Sequence, residues 1–355
     1  MSRKPHHYFP CGNTAKGYYS LYESVLEGIN QVFLLEGGSR GARSLCIQSV
    51  SETLRANGES LDILHCPFHP DWLEGLLLTD KGIALLDCDV SEIRKFVSAD
   101  AIQVIVMETE NNQLLPADRK GVLTARVAAE YEKAYAAFSA SLKAHDDIED
   151  IYISQMDFSE ADQLAQRLIQ TFYGEQTASK TAVVKHRFLG AATPDGAADF
   201  IPNLTADIKK RYFIKGRAGS GKSTMLKKIA AAGADKGFDV EIYHCGFDPN
   251  SLDMVILREL GLAIFDSTAP HEYEPEKESD EIVDMYDLCI APGTDEAFFA
   301  EIDRTTQAYK EKMKDGITYL SKAKSMLDEL ERGKGCAEEG QFQRVCSILV
   351  SEITE

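Results

Sequence analysis

Positive charge is in short supply: 38 lysines and arginines face 57 aspartates and glutamates, giving a formal net charge of −19 and a sequence pI of about 4.9. A chain of that sign repels nucleic acid and anionic lipid at long range, so neither is expected as a partner. No run of about 18 apolar residues is present to span a bilayer. The amino-terminal Met1-Ser2-Arg3-Lys4-Pro5-His6-His7 leads into no apolar signal core, which makes the cytoplasm the expected compartment. The eight cysteines, at 11, 46, 66, 88, 245, 289, 336 and 346, include no CxxC pair. Reduced thiols are therefore expected, and the four-ligand spacing of structural zinc is missing. Heptads are not sustained either, which weakens a coiled-coil reading.

What is there is ordinary globular composition, 44% hydrophobic and 27% charged over 355 residues, enough for two cores. The two cores are written as a repeat. Adding 179 to each number from His7 to Asp87 gives an ungapped alignment to His186–Asp266 with 18 identities in 81 positions. They include His7/His186, Phe9/Phe188, Gly37/Gly216, Ser44/Ser223, Gly58/Gly237, Gly82/Gly261 and Asp87/Asp266. The sharpest block sets His65-Cys66-Pro67-Phe68-His69-Pro70 against His244-Cys245-Gly246-Phe247-Asp248-Pro249. Two copies of one domain follow, 1–176 and 177–355, divided in the polar stretch Gly174 to Lys180.

In the second copy, Arg211 to Lys215 reads as a buried strand entering a glycine-rich loop, and Ser223 to Lys236 as a helix closed by Gly237. Asp239 to His244 and Leu262 to Phe265 read as further strands, the last ending at Asp266. Strand, helix, strand, helix, strand predicts a mainly parallel sheet flanked by helices. Each copy then adds a helical region. Val127, Tyr131, Tyr135, Phe138 and Leu142 mark a helical face, as do Tyr309, Met313, Ile317, Leu320 and Leu327. Such faces would cover a sheet or pair the two halves.

The loop Gly216-Arg217-Ala218-Gly219-Ser220-Gly221-Lys222-Ser223-Thr224 matches GxxxxGK[ST]. Its glycines let backbone N–H groups turn inward around phosphates, and the following helix aims its positive end at them. Lys222 is the expected cation for the β- and γ-phosphates and Ser223 the hydroxyl ligand of Mg2+, with Thr224 supporting the α-phosphate. Asp266, at a neighbouring strand end, is the expected carboxylate for the metal, with Asp248 as runner-up. A strand-end aspartate can equally cap a turn, and His244-Cys245 reads more readily as packing than as chemistry. Arg211, Arg217 and Arg258 are each candidates to neutralise transition-state charge. No Asn-Lys-x-Asp motif follows the loop, which favours ATP over GTP. In the first copy the loop reads Gly37-Gly38-Ser39-Arg40-Gly41-Ala42-Arg43-Ser44, with Ala42 in place of Gly221 and Arg43 in place of Lys222. A Cβ and a planar guanidinium fit a phosphate cradle poorly, so little or no hydrolysis is expected there.

At these residues the chain resembles a bacterial family of tandem P-loop proteins described as uncharacterised ATPases or nucleotide-kinase-like proteins. The resemblance rests on Gly12-Asn13-Thr14-Ala15-Lys16-Gly17, on Phe213-Ile214-Lys215-Gly216, on the run from His244 to Asp253, and on Phe265-Asp266-Ser267-Thr268-Ala269-Pro270-His271. It implies two tandem P-loop NTPase-like α/β domains and ATP binding, and it names no substrate. The expected activity is a Mg2+-dependent ATPase with one competent site. Two alternatives stay open: a kinase acting on a small molecule or nucleotide, and a nucleotide-gated module that docks a protein partner. The two halves are also expected to pair with one another.

Overall fold

The computed structural model describes residues 3–87, 90–108, 115–334 and 339–354. Its strands are β1 (His6–Tyr8), β2 (Cys11–Thr14), β3 (Gly17–Ser20), β4 (Gln31–Glu36), β5 (Asp62–His65), β6 (Leu73–Leu78), β7 (Ile83–Leu86) and β8 (Ile102–Val106), followed by β9 (Val184–Phe188), β10 (Gly190–Thr193), β11 (Gly196–Asp199), β12 (Lys210–Lys215), β13 (Val240–His244), β14 (Leu252–Leu257), β15 (Leu262–Asp266) and β16 (Glu281–Asp284). The principal helices are α1 (Arg40–Ala56), α2 (Ala117–Ser154), α3 (Phe158–Tyr173), α4 (Lys222–Asp235), α5 (Phe299–Arg332) and α6 (Glu339–Thr354).

Two six-stranded sheets result, ordered β1-β5-β6-β7-β4-β8 and β9-β13-β14-β15-β12-β16, so the repeat in sequence is a repeat in topology. Both are mixed. β6 and β14 run antiparallel to both neighbours, while the other pairings are parallel. This corrects the expected helix between the second and third strands of each copy. Leu252-Asp253-Met254-Val255-Ile256-Leu257 is buried throughout, and six such residues are too short for a helix yet fill a central strand. The three strands read in the second copy, and the helix after the loop, fall within a residue or so of their expected bounds, and β9, β10, β11 and β16 were not expected.

Alternate residues of each sheet point to different cores, as the period of two requires. Leu34, Leu64 and Leu77 of the first sheet share an inner core with Phe213, Tyr243, Met254 and Phe265 of the second. The outer faces are covered by helices, and here the halves exchange parts. α3, from the first half of the chain, packs on α4 through Leu164, Leu168 and Phe172. α6, at the other end, packs on α1 through Val345, Cys346 and Leu349. The long helices α2 and α5 lie against each other, with Ala134, Phe138 and Leu320 between them and Gly316 beneath the Phe138 ring, where a Cβ would not fit.

A pseudo-twofold axis relates the halves. Phe9 and Phe188, equivalent residues, exchange backbone hydrogen bonds with each other at 3.0 and 3.2 Å. His7 N–H donates to Asn203 Oδ1 and His186 N–H to Ser24 Oγ, both at 2.8 Å, and each pair maps onto the other under the 179-residue offset. No helix among the described residues is long and apolar enough to cross a membrane.

Candidate functional site

The glycine-rich loop joins β12 to α4 at the carboxyl end of the second sheet. Gly219 and Gly221 adopt φ of +72° and +86°, conformations that side-chain-bearing residues avoid. Space excludes a side chain at Gly219 as well, since a Cβ there would lie 2.5 Å from the backbone oxygen of Glu149 and 2.8 Å from its Cα, on α2. Ser220, buried, holds the loop by donating to the Arg217 carbonyl at 2.8 Å. The first amide of α4 to find a carbonyl is that of Met225, bonded to Gly221 O at 2.9 Å, so the amides ahead of it stay available to an anion.

Lys222 lies over this loop with its Nζ 3.2 Å from Asp266 Oδ2, 3.1 Å from Thr268 Oγ1 and 3.3 Å from the Arg217 carbonyl. Asp266 is fixed by the Thr268 hydroxyl and amide, which donate to its Oδ1 at 2.6 and 3.0 Å. Ser223 Oγ accepts from Leu252 N–H at 3.0 Å and keeps capacity for another partner, while Thr224 is exposed. Ser223 and Asp266 thus offer the hard oxygen donors that magnesium takes, and these residue types fit that ion. His145, Asp146 and Glu149 of α2 form a second group whose ligand atoms lie within 4.8 Å of one another.

Of the three candidate arginines, only Arg217 lines the cavity that opens over the loop. It donates to Asp295 Oδ2 at 2.8 and 3.2 Å and lies over the Tyr286 ring. Burial pushes the Asp295 carboxyl up, but hydrogen bonds from Arg217 and Tyr152 outweigh it and hold the acid below its usual range. Arg211 is committed to Asp280 and Arg258 to Glu241. Asp248 is likewise engaged, with Lys16 at 3.1 Å and with the turn amide of Asn250. His244 pairs with His186 at 2.8 Å and with the Pro249 carbonyl at 2.7 Å, and His65 pairs with His7 in the same way. Burial lowers both histidines, His65 to about 3, and raises the Cys245 thiol. The histidine pairings are packing contacts repeated in both halves, whereas Cys245 lines the cavity over the loop beside Asp253.

The cavity measures about 1040 Å3 and extends well past the loop. Tyr152 and Met156, from α2 and the turn after it, had no sequence signal, and Asp253 and His271 stood in the quoted runs without an assigned role. Asp253 is 7% exposed, and its Oδ2 has no hydrogen-bond partner among the described residues. Burial raises it to about 6, with the neighbouring Asp266 charge adding to the effect and His271 opposing it. His271 is lowered by burial but raised more by its 2.9 Å bond to Asp199 and by Asp253 and Asp266, for a net upward shift.

The equivalent place in the first half keeps a smaller cavity of about 570 Å3, lined by Gly37, Arg40, Arg43, Glu74 and Asp87, but its turn is wound and its amides are engaged. Arg40–Ala42, the counterparts of Gly219–Gly221, form the first turn of α1, capped by Ser39 Oγ accepting from Ala42 N–H at 3.2 Å. Arg43 turns back to donate to the carbonyls of Gly37 at 2.6 Å and Gly38 at 3.0 Å, and its Nε donates to Asp87 at 2.7 Å. The Arg40 amide donates to Glu331 Oε2 at 2.6 Å, so a carboxylate of the chain itself stands at that helix N-terminus. No protein-family model matches the chain, and no curated protein or solved structure does.

Proposed function

We propose that the carboxyl-terminal half is a P-loop site that binds ATP with Mg2+ and hydrolyses it, within a tandem pair of P-loop-like units of which the other is closed. The observation that carries this reading is the open turn Gly219–Gly221 beneath Lys222, set against its wound and plugged counterpart at Arg40–Arg43. Loop amides and the α4 N-terminus would hold the β- and γ-phosphates, and Lys222 would leave Asp266 for them when they arrive. Ser223 and Asp266 would hold Mg2+, which supplies charge neutralisation at the phosphates. Arg217, held by Asp295 at the cavity wall, is the arginine available to stabilise charge on the transferring group.

Phosphate release and nucleotide binding by the wild type and by Lys222→Ala, with and without Mg2+, test this. Loss of the β/γ-phosphate cation is expected to reduce turnover roughly 100-fold or more. Wild-type turnover in the variant would refute the assignment. A kinase is the second reading, favoured by the room in the cavity beyond the loop.

A further inference from the structure

The carboxylate at position 253 has a counterpart that explains its state. Under the 179-residue offset Asp253 corresponds to Glu74, which is also buried and also on the third strand of its sheet. Glu74 is neutralised: Arg40 donates to it at 2.9 Å and Tyr22 O–H at 3.3 Å. Both partners are missing in the second half, where Gly219 stands at the position of Arg40 and Ile201 at that of Tyr22. The closed half therefore satisfies this carboxylate internally, and the open half leaves one oxygen of it bare, on the wall of the cavity.

Its surroundings define what could meet it. The antiparallel register that sets Met254 opposite Phe265 brings Asp253 beside Asp266, the partner of Lys222. On the far side the cavity continues over Ala191, Ala192, Phe247, Tyr309 and Met313, an apolar chamber that a lone attacking water does not require. Asp146, Glu149 and Asp248 add negative charge to its walls, with Lys310 the cation beside Tyr309 and Lys16 paired to Asp248.

The geometry points to a phosphoryl-acceptor site in this chamber, taking a small uncharged or cationic alcohol, with Asp253 as the base that receives its proton. The inference rests on the P-loop reading above and extends it from hydrolysis to transfer. As the alcohol oxygen bonds to the γ-phosphorus, the bond from that phosphorus to the β,γ-bridging oxygen breaks and ADP leaves with the electron pair. The hydroxyl proton passes to Asp253 and from there to solvent, so the products are a phosphate monoester, ADP and a proton. Without an alcohol, water takes the same place and inorganic phosphate results.

The test uses the full chain, γ-labelled ATP, and ethanolamine and ethylene glycol as the alcohol probes, with wild type compared to Asp253→Asn and Asp253→Glu. MgATP binding is measured separately. Wild type is expected to form a labelled ester at the expense of inorganic phosphate. Asp253→Asn should bind MgATP within about twofold of wild type but lose roughly 100-fold in both products. The Glu variant, carrying the residue type of the closed half, should recover part of the rate. Failure of wild type to bind MgATP would remove the donor and overturn both readings together. Intact binding with an Asn variant as fast as wild type would overturn the base alone. Phosphate release with no ester from either alcohol would overturn the acceptor chamber while leaving the ATPase reading standing.

Discussion

Replacing Gly219 by alanine concentrates the structural argument in one methyl group. At φ +72° an L-residue is strained by about 1–2 kcal/mol. The new Cβ would also sit 2.5 Å from Glu149 O and 2.8 Å from its Cα, backbone atoms near the carboxyl end of a 38-residue helix, which cannot turn aside as a side chain would. Overpacking of that kind costs about 1–3 kcal/mol. The sum, about 2–5 kcal/mol, has an escape: the turn can abandon the cradle, as the arginine and alanine counterparts at Arg40 and Ala42 have done by winding into α1. The penalty then falls on the ligand rather than on the fold. Calorimetric titration with MgADP is expected to show affinity reduced about 30-fold or more, while the melting temperature without nucleotide moves little. Gly221→Ala is the control, since its φ is +86° but its Cβ would meet only the Met156 methyl at 2.6 Å, the tip of a flexible side chain. Strain alone predicts about a tenfold loss there. Wild-type affinity in Gly219→Ala, or a larger loss in Gly221→Ala, would refute the reasoning.

Three further outcomes follow from the same geometry. Titration should find one nucleotide per chain, with the stoichiometry unchanged in Arg43→Ala because the wound turn at Arg40–Ala42 survives that change; two sites of similar affinity would contradict it. Asp253 is raised from 3.8 to about 6 in the folded protein, so the native state holds the extra proton between those values and stability falls as pH climbs through them. Asp253→Asn should therefore unfold like wild type near pH 4 but be more stable at pH 7, by about 3 kcal/mol at most; equal stability at both pH values would argue against a buried charge. A fragment of residues 177–355 lacks α3, leaving Met225, Leu226 and Ile229 of α4 uncovered, so it should bind MgATP only when residues 1–176 are supplied in trans. Normal binding by the fragment alone would show that the exchanged helix is dispensable.

The sequence made the repeat, the loop and three central strands of the second half legible because each leaves a local mark: turn glycines, a short apolar run, a helix opening on Lys222. The β14 strand was missed because a fully buried strand carries no alternation, and Leu252–Leu257 reads as apolar without a period. Asp253 was hidden for a related reason, as a lone acid inside that run. The repeat did hold a clue, since Glu74 aligns with it, but only the lost partners Arg40 and Tyr22 show why the two carboxylates behave differently. Nothing local could announce Glu149 or Met156, which reach the loop through the long helix α2 and the turn after it.

That reach gives the closed half its physical purpose. Had it merely decayed, its loop would be expected to lose contacts, yet Ser39 and Glu331 take up the Ala42 and Arg40 amides and Arg43 bonds the Gly37 and Gly38 carbonyls. At the same time its helix α2 runs on to set backbone against Gly219 and, past its end, Met156 against Gly221. Glu331 of α5 bonds the wound turn, while Tyr152 of α2 holds Asp295 and through it Arg217 at the open one. The two halves share an inner core, so the open turn of the second is held against helix α2 of the first within one packed body.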